Sequence, residues 1–216
     1  MIRDLAFIDL LYLIAAMRWT IALTAIAFLG GGIVGIVIAL LRTANWAPLR
    51  WLGAVYVHGV QGTPLLAWLF VFFFGLSIVG ITVSPWIAAA AAYSIYAGAF
   101  LGEIWRGCLQ AIAKTQWEAG ASLGLSTVQQ LRYVIVPQAV RIAIPPTVGF
   151  LVQLIKNTSL AAVIGFVELT REGQLTTATT FRPFTVYLIV AALYFALCFP
   201  LTRWSRRLEG KLHVAR

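Results

Sequence analysis

The chain has 216 residues, of which 61% are hydrophobic and 11% charged, with a mean hydropathy of +0.91. Soluble domains carry about 25% charged residues, so a fully hydrated fold is excluded. The net charge of +9 does not mark a nucleic-acid binder, because the basic residues are spread among the segments between apolar runs and not gathered on one face.

Residues 1–18 hold Asp4 and Asp9 in their first turns and lack a small-residue cleavage site. They read as an N-terminal amphipathic segment, a surface helix leading into the first span, and not as a signal peptide. Residues 19–41 carry no formal charge, and about 20 apolar residues cross about 30 Å of hydrocarbon. Residues 51–102 are also uncharged, too long a run for one helix, and Gly80, Ser84 and Pro85 mark a turn within it. This predicts spans over 51–79 and 86–106, followed by a polar loop over 113–133, a fourth span over 134–165 and a fifth over 184–205. The runs are continuous and not alternating, so the spans are helices. The expected fold is an all-α integral membrane domain over 19–207 with five transmembrane helices, then a tail over 208–216.

Lys and Arg placement sets the expected orientation. With five spans, eleven basic residues fall on one side and four, Arg3, Arg18, Arg171 and Arg182, on the other, with Lys156 inside the membrane. The C-terminus and the 113–133 loop are then cytoplasmic and the N-terminus outside. Seven of the eight Trp, all but Trp68, lie near predicted span ends, where amphipathic rings anchor at the interface.

Enzyme chemistry has no foothold. There is no phosphate-binding Gly-Lys-Ser/Thr loop and no G-x-S-x-G elbow, and the only histidines are His58 and His213. His58, in a Val-His-Gly setting, reads as a structural hydrogen-bonder. Cys108 and Cys198 lack partner spacing and read as apolar fillers, so neither a catalytic nor a metal site is expected. Glu103 and Arg106 stand at i, i+3 and are expected to pair. Glu168, Arg171 and Glu172 read as a solvated outer loop.

Two polar interruptions inside spans carry more information. HGVQGTPLL at 58–66 places Gly59, Gly62 and Pro64 where a straight helix does not tolerate all three. KNTSL at 156–160 places Lys156, Asn157, Thr158 and Ser159 inside the fourth run. Irregular backbone at membrane depth survives only where it is buried in protein or lines a wet cavity. Paired broken helices expose helix ends to a polar substrate, and an intramembrane lysine is a functional candidate. Gln61, Gly62 and Thr63 are expected to offer bare amides, suited to a carboxylate as helix N-termini are.

The polar loop contains EAGASLGLSTVQQLRYVIVPQ at 118–138. Trp117, Leu123, Leu125, Val128 and Leu131 give short helices a sticky side. Gly120 and Gly124, four apart, suggest a face without side-chain bulk, and Ser126 is placed to cap the next helix.

The positions Glu118, Ala119, Gly120, Gly124, Ile135 and Pro137 resemble the EAA signature of binding-protein-dependent ABC transporter permeases. GTPLL at 62–66, EIWRG at 103–107, KNTSLAAVIG at 156–165 and TFRPFTVYL at 180–188 look like its polar amino-acid uptake subfamily, so the resemblance covers about residues 15 to 210. It implies a type I ABC importer permease fold in the bacterial cytoplasmic membrane. The 118–124 segment would be a coupling helix docked on an ATPase, with Glu118, Ala119, Gly120 and Gly124 at the contact. It implies as partners an ATP-binding subunit dimer, a second permease subunit and an extracytoplasmic substrate-binding protein, besides membrane lipid. The chain itself would hold no cofactor, ATP and Mg being the ATPase's. In the family, members that carry basic amino acids place acidic residues at the positions of Phe150 and Asn157, which are uncharged here. The expected cargo is therefore a polar, neutral or acidic amino acid. An opine, cystine or basic amino acid is the near alternative, and a passive channel or ion-coupled carrier the alternative of another class, against which the EAA stretch argues.

Overall fold

The computed structural model describes residues 3–213, with side chains described through residue 210. Among the described residues the elements are all helical. They run in chain order as α1 (Phe7–Thr43), α2 (Ala47–Gln61), α3 (Leu65–Ile78), α4 (Pro85–Gln110), α5 (Lys114–Ser122), α6 (Thr127–Ile164), α7 (Leu169–Thr180) and α8 (Pro183–His213). The helices α1, α4, α6 and α8 are each long and apolar enough to cross a membrane, and α2 with α3 makes a fifth span broken by a 95° bend. The five predicted spans are all present.

The N-terminal boundary differs. Residues 7–18 are not a separate surface helix but the first turns of α1, which runs unbroken for 37 residues. No Gly or Pro lies between Phe7 and Leu29 to interrupt it. At about 1.5 Å per residue α1 is longer than the hydrocarbon is thick. Its start is tied down by Asp9, which accepts from the Ala6 amide at 2.9 Å and pairs with Arg3. The Arg3 amide donates to Thr179 O at 3.2 Å, and Arg182 pairs with Asp4 at 2.6 Å. The chain start and the α7–α8 corner therefore share one end of the bundle. Of the 208–216 tail, α8 takes up residues to His213, and residues 214–216 lie outside the described residues.

Helix ends follow local chemistry. Gly80 adopts φ +84°, and Ser84 caps α4 by accepting from the Ile87 amide at 3.4 Å, with Pro85 at the first helical position. In α6, a wide turn over Leu131–Ile135 precedes Pro137, whose nitrogen cannot donate to the preceding turn. The same helix tightens into 3₁₀ geometry over Thr158–Ile164 and ends at Gly165, φ +83°.

The core forms where α1 crosses α4. A Cβ built on Gly31 would lie 2.4 Å from Ala97 Cβ, and one on Gly102 would lie 2.7 Å from Ile38 Cγ2. Gly31 and Gly35 on α1 meet Gly98 and Gly102 on α4, a small-xxx-small pattern on both helices. Such spacing lets backbones approach closely, which is how spans associate where lipid is as apolar as the side chains. Around this contact the buried Leu23, Ala27, Tyr93 and Leu101 complete the core.

This contact generates a prediction. Gly31→Ala or Gly102→Ala should destabilise the folded chain by about 1–3 kcal/mol through overpacking. Gly107→Ala, on the same α4 but with nothing within 4 Å of the added atom, should be near neutral. Thermal unfolding of the detergent-purified chain checks this, and equal midpoints for all three variants would refute the tight-contact account.

Candidate functional site

The break between α2 and α3 is built from Gly62, Thr63 and Pro64. Pro64 has no N–H to continue the ladder and forces an extended residue before it. The Gly62 amide donates to His58 O at 2.9 Å and the Thr63 amide to Val60 O at 3.4 Å. Thr63 Oγ1 donates to Gly59 O at 2.8 Å. These amides are thus engaged as the C-terminal cap of α2, and the expectation of bare amides at 61–63 is overturned. Among the described residues, the Gln61 and Gly62 carbonyls receive no amide donor. The break thus sets these carbonyls at the negative end of α2 beside the first amides of α3, Leu65 and Leu66, which also lack backbone partners among the described residues.

The second break lies at Asn157. Tyr93 Oη donates to Asn157 O at 2.5 Å, and Ser159 Oγ donates to Lys156 O at 2.8 Å. Thr158 is fully buried, with its hydroxyl donating to Ile155 O at 2.7 Å. These bonds occupy carbonyls where α6 changes to 3₁₀ geometry. About two turns earlier in α6, Phe150 is buried against Phe100, with ring centroids 5.5 Å apart and planes 11° apart, and against Tyr96 at 6.5 Å.

The helix α4 links the two breaks. Gln61 Nε2 donates to Ala99 O at 3.3 Å, one residue from the Phe100 ring that stacks on Phe150. Gln61, Phe150 and Asn157 are therefore gathered along one stretch of α4, residues 93–100. Lys156 leaves α6 about 100° round from Asn157; it is exposed, and among the described residues it has no carboxylate in ion-pair range. Ser159 is half-buried and Thr158 is turned inward, so these two and Lys156 do not join the cluster. Tyr93, Tyr96 and Phe100 were missed by the sequence reading. Their spacing along one face of an alanine-rich helix was the available signal.

The carboxylates nearest this cluster, Glu103 and Glu168, are already engaged by other groups. Glu103 pairs with Arg106 as expected and also with Arg42 of α1 at 3.5 Å. Among the described residues no group of His, Cys, Asp and Glu could hold a metal ion.

At the far end from the chain start, α5 lies across the bundle. Trp117 packs inward on Ile112, Ile135 and Ala139, with Leu131 beside it. Gly120 is buried because a Cβ there would lie 2.9 Å from Gln130 Cγ. Gly124 takes φ +74°, its amide donates to Ala121 O at 2.9 Å, and the Leu125 amide donates to Gly120 O at 3.1 Å. This is a left-handed glycine cap closing α5. Gly120 and Gly124 thus do not form one bare face: the first is an internal contact and the second a backbone requirement. Ser126 caps the next turn reciprocally with Gln129, as expected. What remains outward is Glu118, Ala119, Leu123 (79% exposed) and Val128 (72% exposed), an apolar and acidic patch of the kind that marks a contact surface.

Glu168 corrects a further expectation. It is not solvated but 0% exposed. Its carboxylate accepts from the Thr170 and Arg171 amides at 2.8 and 3.0 Å, from Tyr194 Oη at 2.7 Å and from Thr20 Oγ1 at 3.3 Å. It caps α7 and binds it to α1 and α8. Burial raises its pKa above the usual carboxylate value, against the lowering effect of these donors. A raised carboxylate pKa means that the folded chain holds the proton more tightly, so this group's contribution falls as pH rises from the ordinary Glu value upward. Glu168→Ala should cost about 2–4 kcal/mol, since it removes a cap and strands buried donors. Wild type should also lose stability relative to Glu168→Gln as pH rises through that window. Thermal unfolding as a function of pH checks both, and a pH-independent gap would show that the carboxyl does not titrate between the two states.

Comparison with known proteins fits this geometry. Residues 31–214 match the family described as binding-protein-dependent transport system inner membrane component. The L-cystine transport system permease protein TcyB of Bacillus subtilis is 37% identical over 195 residues, covering 90% of this chain and 83% of its own. The glutamine transport system permease protein GlnP of Escherichia coli K12 is 33% identical over 204 residues, covering 94% and 93%. A crystal structure of an amino acid ABC transporter with histidines superposes with a TM-score of 0.89 at 30% identity, over 97% of this chain and all of that one. The chain belongs to the binding-protein-dependent transport system inner membrane component family and is an ABC importer permease subunit of the amino-acid type.

Proposed function

We propose that this permease imports polar amino acids, neutral or acidic, by alternating access driven by a partner ATPase dimer. The observation that carries the substrate class is the uncharged cluster of Phe150 and Asn157 of α6 and Gln61 of α2, gathered against α4. The nearby acids are already committed, Glu103 to two arginines and Glu168 to its four donors. A cationic side chain buried here would meet no counter-charge, at a cost of several kcal/mol. Glutamine, named for one relative, is polar without a cationic side chain. The carbonyls of Gln61 and Gly62 suit the substrate's ammonium group, in the way half-helix C-termini hold cations. Asn157 offers its amide to the side chain.

ATP and its Mg stay on the ATPase, and this chain contributes no bond chemistry. The outward patch of Glu118, Ala119, Leu123 and Val128 takes the ATPase stroke. Trp117 and the Gly120 contact pass it to α6, whose second break lies in the same helix. A second permease subunit completes the pathway, and a binding protein delivers cargo at the end where the chain start meets α7.

Uptake into proteoliposomes that hold the whole complex tests the substrate class. Glutamine or glutamate should enter at least tenfold faster than arginine, and Asn157→Asp should narrow that gap. Arginine entering as fast as glutamine, with no acids at the matching positions of the partner permease, would overturn the reading. Glu118→Lys should abolish substrate-stimulated ATP hydrolysis while the complex still assembles. On a background without Cys108 and Cys198, Ala178→Cys should react with an impermeant thiol reagent in intact cells and Thr115→Cys should not. The reverse pattern would invert the orientation.

A further inference from the structure

The inner end of α8 carries a feature that transport of an amino acid does not use. Phe199, Thr202, Arg203, Arg206 and Arg207 line an open bay on one side of the helix. All three arginines are exposed. None makes an ion pair among the described residues, and Glu209 on the same helix pairs with none of them. The rotation of α8 is fixed by Ser205, which is buried and donates to Pro145 O of α6 at 3.0 Å. At about 100° per residue the arginines lie roughly 100–160° round the helix from Ser205, away from α6. On that outward side Phe184, Leu188, Phe195 and Phe199 form an exposed apolar stripe, with Phe195 and Phe199 stacked at 5.0 Å. The stripe is about 22 Å long, most of the hydrocarbon thickness, and it ends at the guanidinium groups. Trp204, 51% exposed, sits at the same level, as interface rings do.

The geometry points to a binding site for an anionic phospholipid of the cytoplasmic leaflet. Acyl chains lie along the Phe195–Phe199 stripe and the headgroup phosphate sits among Arg203, Arg206 and Arg207. Guanidinium forks match phosphate oxygens in pairs. Charge decides between lipid and protein as the occupant. A second copy docked by two-fold symmetry on this face would set three arginines against three arginines, which is repulsive, whereas an anionic headgroup neutralises them. The assignment depends on α8 spanning the membrane with this end in the cytoplasm and is independent of the amino acid carried.

Native mass spectrometry of the delipidated complex, titrated with phosphatidylglycerol or phosphatidylcholine of equal chain length, tests the site. About fivefold per guanidinium is expected, so wild type should retain phosphatidylglycerol on the order of a hundredfold better. The combined variant Arg203→Gln, Arg206→Gln, Arg207→Gln should lose that preference, and the corresponding triple Lys variant should keep most of it. Should the triple Gln variant fail to insert, Arg206→Gln alone should give about a fivefold loss. Three outcomes would overturn the proposal. These are equal retention of the two lipids by wild type, displacement of phosphatidylglycerol by millimolar inorganic phosphate, and cross-linking of Phe199→Cys to the partner permease in native membranes.

Discussion

The close approach of α1 to α4 is the constraint on which the rest depends. In lipid, apolar surface gains little by leaving its surroundings, so two spans hold together by contact and not by exclusion of water. Glycines at 31, 35, 98 and 102 remove the side chains that would keep the backbones apart. With one side of α4 packed this tightly, its other side is free to carry large groups. Tyr93, Tyr96 and Phe100 stand there and back the second break through the Tyr93–Asn157 bond and the Phe100–Phe150 stack. A loose α1–α4 contact would let α4 rotate or slide, and both breaks would lose the surface that holds them at a fixed separation.

The same economy of backbone groups governs the breaks. A bent span leaves carbonyls and amides without ladder partners, and at membrane depth each must be met or must face a polar guest. At Asn157 a tyrosine meets the carbonyl, and at Lys156 a serine does. At 61–63 the helix end uses its amides internally and leaves carbonyls. The two breaks are therefore unlike: one is closed by neighbouring side chains, and the other leaves the Gln61 and Gly62 carbonyls beside the unpartnered first amides of α3.

Much of this was legible in the sequence, and the parts that were not share a cause. Spans show as charge-free runs because hydrocarbon imposes a length and a composition on each segment separately. The turn at 80–85, the Ser126 cap and the Glu103–Arg106 pair were readable for the same reason, since each is settled within a few residues. The start of the first helix misleads because Asp9 looks solvated until Arg3 is placed beside it and buries it. Glu168 looks solvated in the sequence because its partners Thr20 and Tyr194 lie far off in the chain. At 61–63 the Gly-Thr-Pro composition announces a break but not which helix end faces it. Gly120 and Gly124 look alike at a spacing of four, yet one is small to admit Gln130 and the other small to reach a positive φ.

The two ends of the bundle are held in different ways, and this bears on how a displacement of α5 would travel. The end at the chain start is tied by charge and by Glu168, whose donors come from α7, α1 and α8. At the other end α5 touches α6 through Trp117, Gly120 and the Gln116–Gln138 bond, while α8 meets α6 through Ser205. The helix α6 is thus the element gripped at the α5 end. It is also the element with a wide turn at Leu131–Ile135, prolines at 137, 145 and 146, and a narrow end at Thr158–Ile164. A helix whose hydrogen bonds are already interrupted at these points bends more readily than an unbroken one. Displacement of α5 would accordingly be taken up by bending along α6, and would reach Phe150 and Asn157 while the end capped by Glu168 stays fixed.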